Sequence, residues 1–262
     1  MGRAKDIILK VIPAKIANDF VKKHHYSGKV VNNSSLHFGA FLDGVLGGVM
    51  SYGSPLDKRK VLPLVHTSAG VPVLWNEMLE LNRMAFSEAL PRNSESRCIA
   101  ISFKLLKKNA PHIKWVLSFS DGTQCGDGTI YRASGFELTA VKKSIGDLWR
   151  LPENLKHLSI FGNVVHRMTI QTRGAIINKW ALSEFKGSVP SLDKIKNKYG
   201  GELLDGFQLR YIYLLDKTCK IAVPVLPFSE IDKAGAGMYK GEKITQEERH
   251  TQAGEAQEKC AD

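Results

Sequence analysis

Leu79-Glu80-Leu81-Asn82-Arg83-Met84-Ala85-Phe86 alternates apolar and polar residues, as a half-buried strand does. The alternation predicts that Glu80, Asn82 and Ala85 lie near one accessible face. Next, Pro91-Arg92-Asn93-Ser94-Glu95-Ser96-Arg97 opens a helix whose apolar positions Ile99, Phe103 and Leu106 recur at helical spacing. Val116-Leu117-Ser118-Phe119-Ser120-Asp121 is a short apolar strand that Asp121-Gly122 stops. A helical turn, Ile130-Tyr131-Arg132-Ala133-Ser134-Gly135-Phe136, follows and is ended by its glycine. Strand, helix, strand and helix make one supersecondary unit, with a candidate anion site where its first helix begins.

The rest of the chain fits around that unit. Lys5 to Ile12 reads as a strand, and Ala14 to Lys23 as a helix through Ile16, Phe20 and Val21, with Pro13 at its first turn. His37 to Ser51 gives two strands around the turn dipeptide Asp43-Gly44. After Phe136, Glu137 to Lys143 reads as a strand, Arg173 to Phe185 and Leu192 to Tyr199 as helices, and Leu209 to Leu215 as a strand. Beyond Phe228 the chain is rich in Gly, Ala, Gln, Glu and Lys, which predicts a disordered tail over 229–262 after one domain over 1–228. Removing that tail is expected to leave stability nearly unchanged.

A chain of 262 residues with 43% hydrophobic content can bury a full core. The cysteines Cys98, Cys125, Cys219 and Cys260 have no Cys-x-x-Cys spacing, which argues against a structural zinc site and for a reducing compartment. No run approaches the length of a membrane span, so a cytoplasmic protein with no membrane partner is expected. The chain's net charge of +11 is +14 over residues 1–228 and −3 over the acidic tail. Such a surplus suits a polyanion, nucleic acid above all. It is densest between Lys142 and Gly200, where Arg167, Arg173, Lys194, Lys196 and Lys198 are interleaved with aromatics. That region is the expected double-stranded DNA contact surface.

In order and spacing, His25-Tyr26-Ser27-Gly28, Glu80-Leu81-Asn82-Arg83, Asn93-Ser94-Glu95-Ser96, Ser118-Phe119-Ser120-Asp121 and Gly128-Thr129-Ile130-Tyr131-Arg132-Ala133-Ser134-Gly135-Phe136 resemble the Mom family of phage DNA-modification proteins, within the GNAT acyltransferase superfamily. The resemblance covers roughly Val21 to Lys143. It implies an α/β (α+β) GNAT-like fold, a central mixed and mostly antiparallel sheet flanked by helices. It also implies conversion of adenine N6 in DNA to a carbamoylmethyl (acetamido) derivative, which hides phage DNA from host restriction. Relatives in the superfamily bind acetyl-CoA, so the implied donor is acetyl-CoA or another activated glycyl or acetyl compound, and iron is an implied cofactor. One departure stands out. An ordinary GNAT has a Gly-rich pyrophosphate loop before the phosphate-binding helix, and this chain has Arg92-Asn93-Ser94-Glu95-Ser96-Arg97 instead.

On these residues the expected catalytic set is His25, Tyr26, Asp121 and Tyr131. An imidazole serves as general base or metal ligand, a tyrosine as proton donor, and a carboxylate at the end of a central strand as base or ligand. His24 is the alternative to His25, and a capping role the alternative for both. His25 with Asp121 is the candidate iron pair. Asn93, Ser94, Ser96 and Arg97 are the expected donor-binding residues, against the reading that Asn93 or Ser94 only caps the helix. Glu80 and Arg83 either line the substrate cleft or form a structural charge pair. Since a base in a duplex must be turned out to react, Tyr26, Tyr52 or Trp149 is expected to stack on it. Two other functions compete: a coenzyme A-dependent N-acyltransferase acting on a small amine or protein, and a noncatalytic DNA-binding protein with an acyltransferase-like core.

Overall fold

The computed structural model describes residues 3–123, 125–158, 164–166, 191–239 and 242–243. Its centre is an eight-stranded sheet built from β1 (Ile8–Val11), β2 (Ser34–Leu42), β3 (Val45–Gly53), β5 (Met78–Phe86), β6 (Trp115–Asp121), β7 (Glu137–Arg150), β8 (Val164–His166) and β9 (Glu202–Leu214). A short β4 (Val65–His66) pairs outside that sheet with β10 (Lys220–Ile221). The order across the main sheet is β1-β2-β3-β5-β6-β9-β7-β8. Only β5 and β6 run parallel; the other neighbours are antiparallel. Parallel neighbours need a crossover, and α3 (Ser94–Asn109) supplies it. The mixed, mostly antiparallel sheet flanked by helices is the architecture the sequence led us to expect.

Each face of the sheet is covered by its own elements. α3 buries Cys98, Ile99, Phe103 and Leu106 against Met50, Tyr52, Leu81 and Val116. α1 (Ala14–His24) covers the opposite face, where Ala17 and Val21 pack on Val49 and Ala85. Burying one such valine stabilises the fold by roughly 1.5–3 kcal/mol. Beside α1, the segment holding α2 (Lys58–Val61) packs Val61, Leu64 and Val65 on Met78, Trp115 and Leu117. α4 (Thr129–Ala133) follows β6, and α5 (Leu192–Tyr199) packs Ile195 on Trp149, Leu151 and Leu155.

Three expectations need correction. α1 packs Ala17 and Val21 over Ala85, so this residue is buried instead of accessible on β5. The partners of β5 step from Ser51↔Arg83 to Tyr52↔Leu81, so Asn82 is an extra residue, a β-bulge that reverses which face the later residues take. The strands after Phe136 are longer than expected: β7 reaches Arg150 by carrying an irregularity between Ser144 and Leu148, with Gly146 at φ 71°. Finally, the packed body continues past Phe228. α6 (Ser229–Lys233) buries Ile231 in the core with Ala236, and the Gly237 amide donates to the Gly122 carbonyl at 2.9 Å. The expected helix over 173–185 lies outside the described residues.

Candidate functional site

Pairing between β5 and β6 runs from Met78↔Trp115 to Leu81↔Ser118 and stops there, although both strands continue. The Asn82 bulge turns β5 away at that point. The strands splay, and a cleft of about 320 Å³ opens between them, lined by Asn82 and Arg83 from β5, Phe119, Ser120 and Asp121 from β6, and Tyr131 from α4. Its other wall is the loop after α1, with His25 and Tyr26. A wider groove of about 590 Å³ shares Tyr26, Arg83 and Asp121 with the cleft and runs along the α1 face past Leu56, Lys142 and Asp147. All four expected catalytic residues therefore meet at one opening.

The His25 loop is held by several groups. α1 ends because His25 is extended, at φ −84° and ψ 135°, while its amide still donates to the Val21 carbonyl. Gly28 turns the chain back at φ 58°. His25 Nδ1 accepts the Ser27 amide at 3.1 Å and lies 2.8 Å from Ser27 Oγ. An amide donor at Nδ1 fixes the proton of the neutral ring on Nε2. Burial, aided by the Arg83 cation, pushes the imidazole down to about 3. At neutral pH His25 is thus an uncharged N–H donor, which corrects the expectation of a general base. His24 stacks on Phe20 and does not line the cleft.

Tyr26 stacks obliquely on His25, with ring centroids 4.4 Å apart, and is partly exposed. Its phenol is raised well above its ordinary value by burial, then by Cys125 and Asp121. Cys125 as a residue faces solvent, yet the protein wall around its thiol and the Asp121 carboxylate push it up to about 12. Asp121 closes β6 in an Asx turn, with Oδ1 accepting the Thr123 amide at 2.9 Å.

Tyr131 enters from the α3 side. Its ring stacks on Tyr211 at 4.6 Å and meets Phe136 edge-on, so the hydroxyl is placed by packing. Gly128 permits that placement: its φ is 70°, and a Cβ there would collide with the Tyr211 hydroxyl. Ser118 Oγ–H reaches two acceptors, the Leu81 carbonyl at 3.0 Å and the Tyr131 hydroxyl at 3.1 Å. One proton serves one acceptor at a time. Burial pushes the Tyr131 phenol up to about 12, so it holds its proton at neutral pH.

The bulge also explains Glu80 and Arg83. Because Asn82 is extra, Glu80 and Arg83 share the α1 face despite being three residues apart in a strand. Burial raises the Glu80 carboxyl to about 7, and Arg83 partly offsets that. The Arg83 guanidinium donates from Nε to the Lys29 carbonyl at 3.0 Å and from NH1 to the Asn82 carbonyl at 2.7 Å. Sequence reasoning gave no role to Asn82. Its Oδ1 accepts from Ser34 Oγ at 2.9 Å, and its Nδ2 is buried in the cleft wall with no partner among the described residues.

A model of the Mom protein family matches residues 6–230. The chain belongs to the Mom protein family. Its similarity to the methylcarbamoylase Mom of Escherichia phage Mu is 35% identity over 145 residues, 54% of this chain and 56% of that protein. The match thus spans little more than half the length of this relative. Among solved structures, the ribosomal-protein-S18-alanine N-acetyltransferase of Escherichia coli is similar with a TM-score of 0.41 and 8% identity, over 80% of this chain and 94% of that one. A GNAT family acetyltransferase from Elizabethkingia anophelis with acetyl-CoA bound gives 0.38 and 13%, over 78% and 97%.

The remaining Mom-type expectations divide. A groove of about 480 Å³ lies beside the start of α3, lined by Asn93, Ser96 and Arg97 as expected, and by Lys5 and Lys104. Among the described residues no carboxylate lines it, so the residues present fit an anionic donor. Ser94 is the correction: it is buried, and its hydroxyl donates to the Pro91 carbonyl, so it closes the turn and does not face the groove. Asn93 takes the left-handed conformation at φ 67° and makes no side-chain cap. Iron fits less well. Among the described residues no three His, Cys, Asp or Glu side chains converge, and the amide at His25 Nδ1 occupies the nitrogen that carries the lone pair. Tyr52 and Trp149 are fully buried and cannot stack on a base, which leaves Tyr26. Lys194, Lys196 and Lys198 lie on α5 and line neither the cleft nor the groove beside it. Arg167 and Arg173 lie outside the described residues. Among the described residues no helix is long and apolar enough to cross a membrane.

Proposed function

We propose that this Mom family protein transfers a carbamoylmethyl group to the N6 amine of adenine in DNA, the modification that shields phage DNA from restriction. The observation that carries the reading is that Asp121 and Tyr131, from opposite sides of the sheet, line one gap between splayed strands. Adenine N6 is a weak nucleophile because its lone pair is delocalised into the ring. Asp121 takes the N6 proton as nitrogen bonds to the donor's methylene carbon. The bond from that carbon to the leaving group breaks, and the leaving atom departs with the electron pair toward the Tyr131 O–H. Ser118 then turns its proton from the Leu81 carbonyl to the Tyr131 oxygen. Tyr26 stacks on the base, and His25 offers its Nε2–H.

A phosphorylated donor, when bound, supplies the electrophilic carbon and its leaving group; Ser96, Arg97, Lys5 and Lys104 would hold its anionic end. The donor must itself carry the amide nitrogen, since an acetyl group would give an N-acetyl product. Lys142 at the groove and the α5 lysines supply phosphate contacts that place the duplex.

Mass spectrometry of nucleosides from a plasmid co-expressed with the protein tests this directly. Deoxyadenosine bearing a carbamoylmethyl group is expected with the natural chain and is absent with Asp121→Ala or Tyr131→Phe, both still folded. Unmodified DNA from the natural chain would overturn the reading, and an acetyl group on N6 would make the protein an ordinary acyltransferase.

A further inference from the structure

Among the large apolar side chains of the described residues, the two most exposed are Leu56 at 90% and Ile145 at 81%. Both stand at the groove that leads to Asp121. Leu56 lines the groove directly, and Ile145 lies between the lining residues Ser144 and Asp147. Each adjoins a packed or hydrogen-bonded element. Leu56 follows Pro55 and precedes the Asp57 cap of α2, whose Val61 is buried in the core. Ile145 rides on the irregularity of β7, closed by a hydrogen bond from Ser144 Oγ to Asp147 and by the tight Gly146. Two apolar tips thus stand in water beside packed elements of the fold.

Their surroundings say what covers them. Lys58, Arg59 and Lys60 follow Leu56, and Lys142 and Lys143 precede Ile145, all five exposed, while the neighbouring carboxylates Asp57 and Asp147 are half-buried and held by Lys60 and Ser144, and the chain carries a net charge of +11. Apolar tips among cations suit a duplex, whose phosphates meet the cations while its stacked bases accept an apolar wedge. A base turned out of the stack leaves a gap that such a wedge fills. We propose that Leu56 and Ile145 together are the wedge that parts the base stack and holds it open while the target adenine enters the cleft. This rests on the adenine-modification reading above and adds the residues that make a duplex usable as substrate.

The probe is a duplex carrying 2-aminopurine at an adenine position found to be modified, whose fluorescence rises when the base leaves the stack. Binding of the natural chain should raise it. Leu56→Ser, Ile145→Ser and the double variant keep every charge, so duplex affinity and its salt dependence should stay within about threefold of the natural chain. The fluorescence rise should fall by roughly tenfold in the double variant, since unstacking costs a few kcal/mol. Modification of an adenine already unpaired in a mismatch should be retained. Equal fluorescence in the variants and the natural chain overturns the wedge and leaves adenine modification standing. So does loss of self-association in the variants with extrusion unchanged, which would make the tips a contact between copies. If the natural chain neither extrudes the base nor modifies adenine, the function itself is overturned and the wedge with it.

Discussion

Arg83 Nε donates to the Lys29 carbonyl at 3.0 Å, a bond between residues 54 positions apart that ties the loop after α1 to the bulged strand β5. A second bond to the Asn82 carbonyl leaves the guanidinium bridging the two walls of the cleft. We propose that Arg83 positions His25 and Tyr26. Arg83→Lys keeps the charge but loses the fork. It should destabilise the protein by about 1.5–3 kcal/mol, as hydrogen bonds from a charged group do. Modified adenine should drop well beyond what the lost stability explains. Urea unfolding beside nucleoside mass spectrometry separates the two.

Glu80 and His25 impose opposite pH dependences on stability. The folded Glu80 carboxyl sits at about 7 against an ordinary 4.5, so between those values the folded state holds the extra proton and stability falls as pH rises. The folded His25 imidazole sits at about 3 against 6.5, so there the unfolded state holds the extra proton and stability rises with pH. Glu80→Gln should remove the falling limb, leaving stability that climbs to about pH 6.5 and then stays level. Relative to the natural chain, the gain at pH 8 should be about 1–3 kcal/mol. A series of urea midpoints from pH 5 to 8 reads both limbs, and an unchanged profile in Glu80→Gln counts against a buried carboxyl.

Truncation after Phe228 removes Ile231 and Ala236, which are buried, and the amide that donates to Gly122. Losing one buried isoleucine costs about 2–5 kcal/mol. The melting temperature should fall clearly for a chain ending at Phe228 and much less for one ending at Lys243. Equal melting of the two would mean that α6 contributes nothing to the core.

Much of this site was legible in the chain, and the rest was hidden for identifiable reasons. Strand alternation marked β5, and the order of the quoted motifs brought His25, Tyr26, Asp121 and Tyr131 to one opening. Alternation could not show the bulge at Asn82, because a single extra residue changes pairing without changing composition. The face shared by Glu80 and Arg83 follows from that bulge, and the burial of Ala85 follows from α1 packing over it, which no local pattern in β5 could show. Ser94 looked like a ligand because serine suits both an anion and a turn, and only the Pro91 carbonyl decides between them. Tyr52 and Trp149 looked available because an aromatic side chain reads the same in a core and in a cleft. The start of the tail was placed too early because Ile231 is a lone apolar residue in polar company, too sparse a pattern to mark a helix.

Asn82 gives the sharpest test of whether the cleft is built for a polar ligand. Ser34 Oγ holds one end of its amide, while Nδ2 is buried and unpaired among the described residues, a state that costs about 1–3 kcal/mol in the free protein. A base or donor carbonyl in the cleft would relieve that cost by accepting from Nδ2. Asn82→Ala removes the unpaired donor together with the Ser34 contact, so the two effects nearly cancel and stability should shift by less than about 1 kcal/mol. Modification should fall by roughly tenfold or more, because the variant loses a bond made only when the cleft is filled. Asn82→Asp keeps the shape but presents an acceptor in place of the donor, and it should not rescue. A purely structural Asn82 predicts the reverse: marked destabilisation by alanine, with modification lost only in proportion to unfolding.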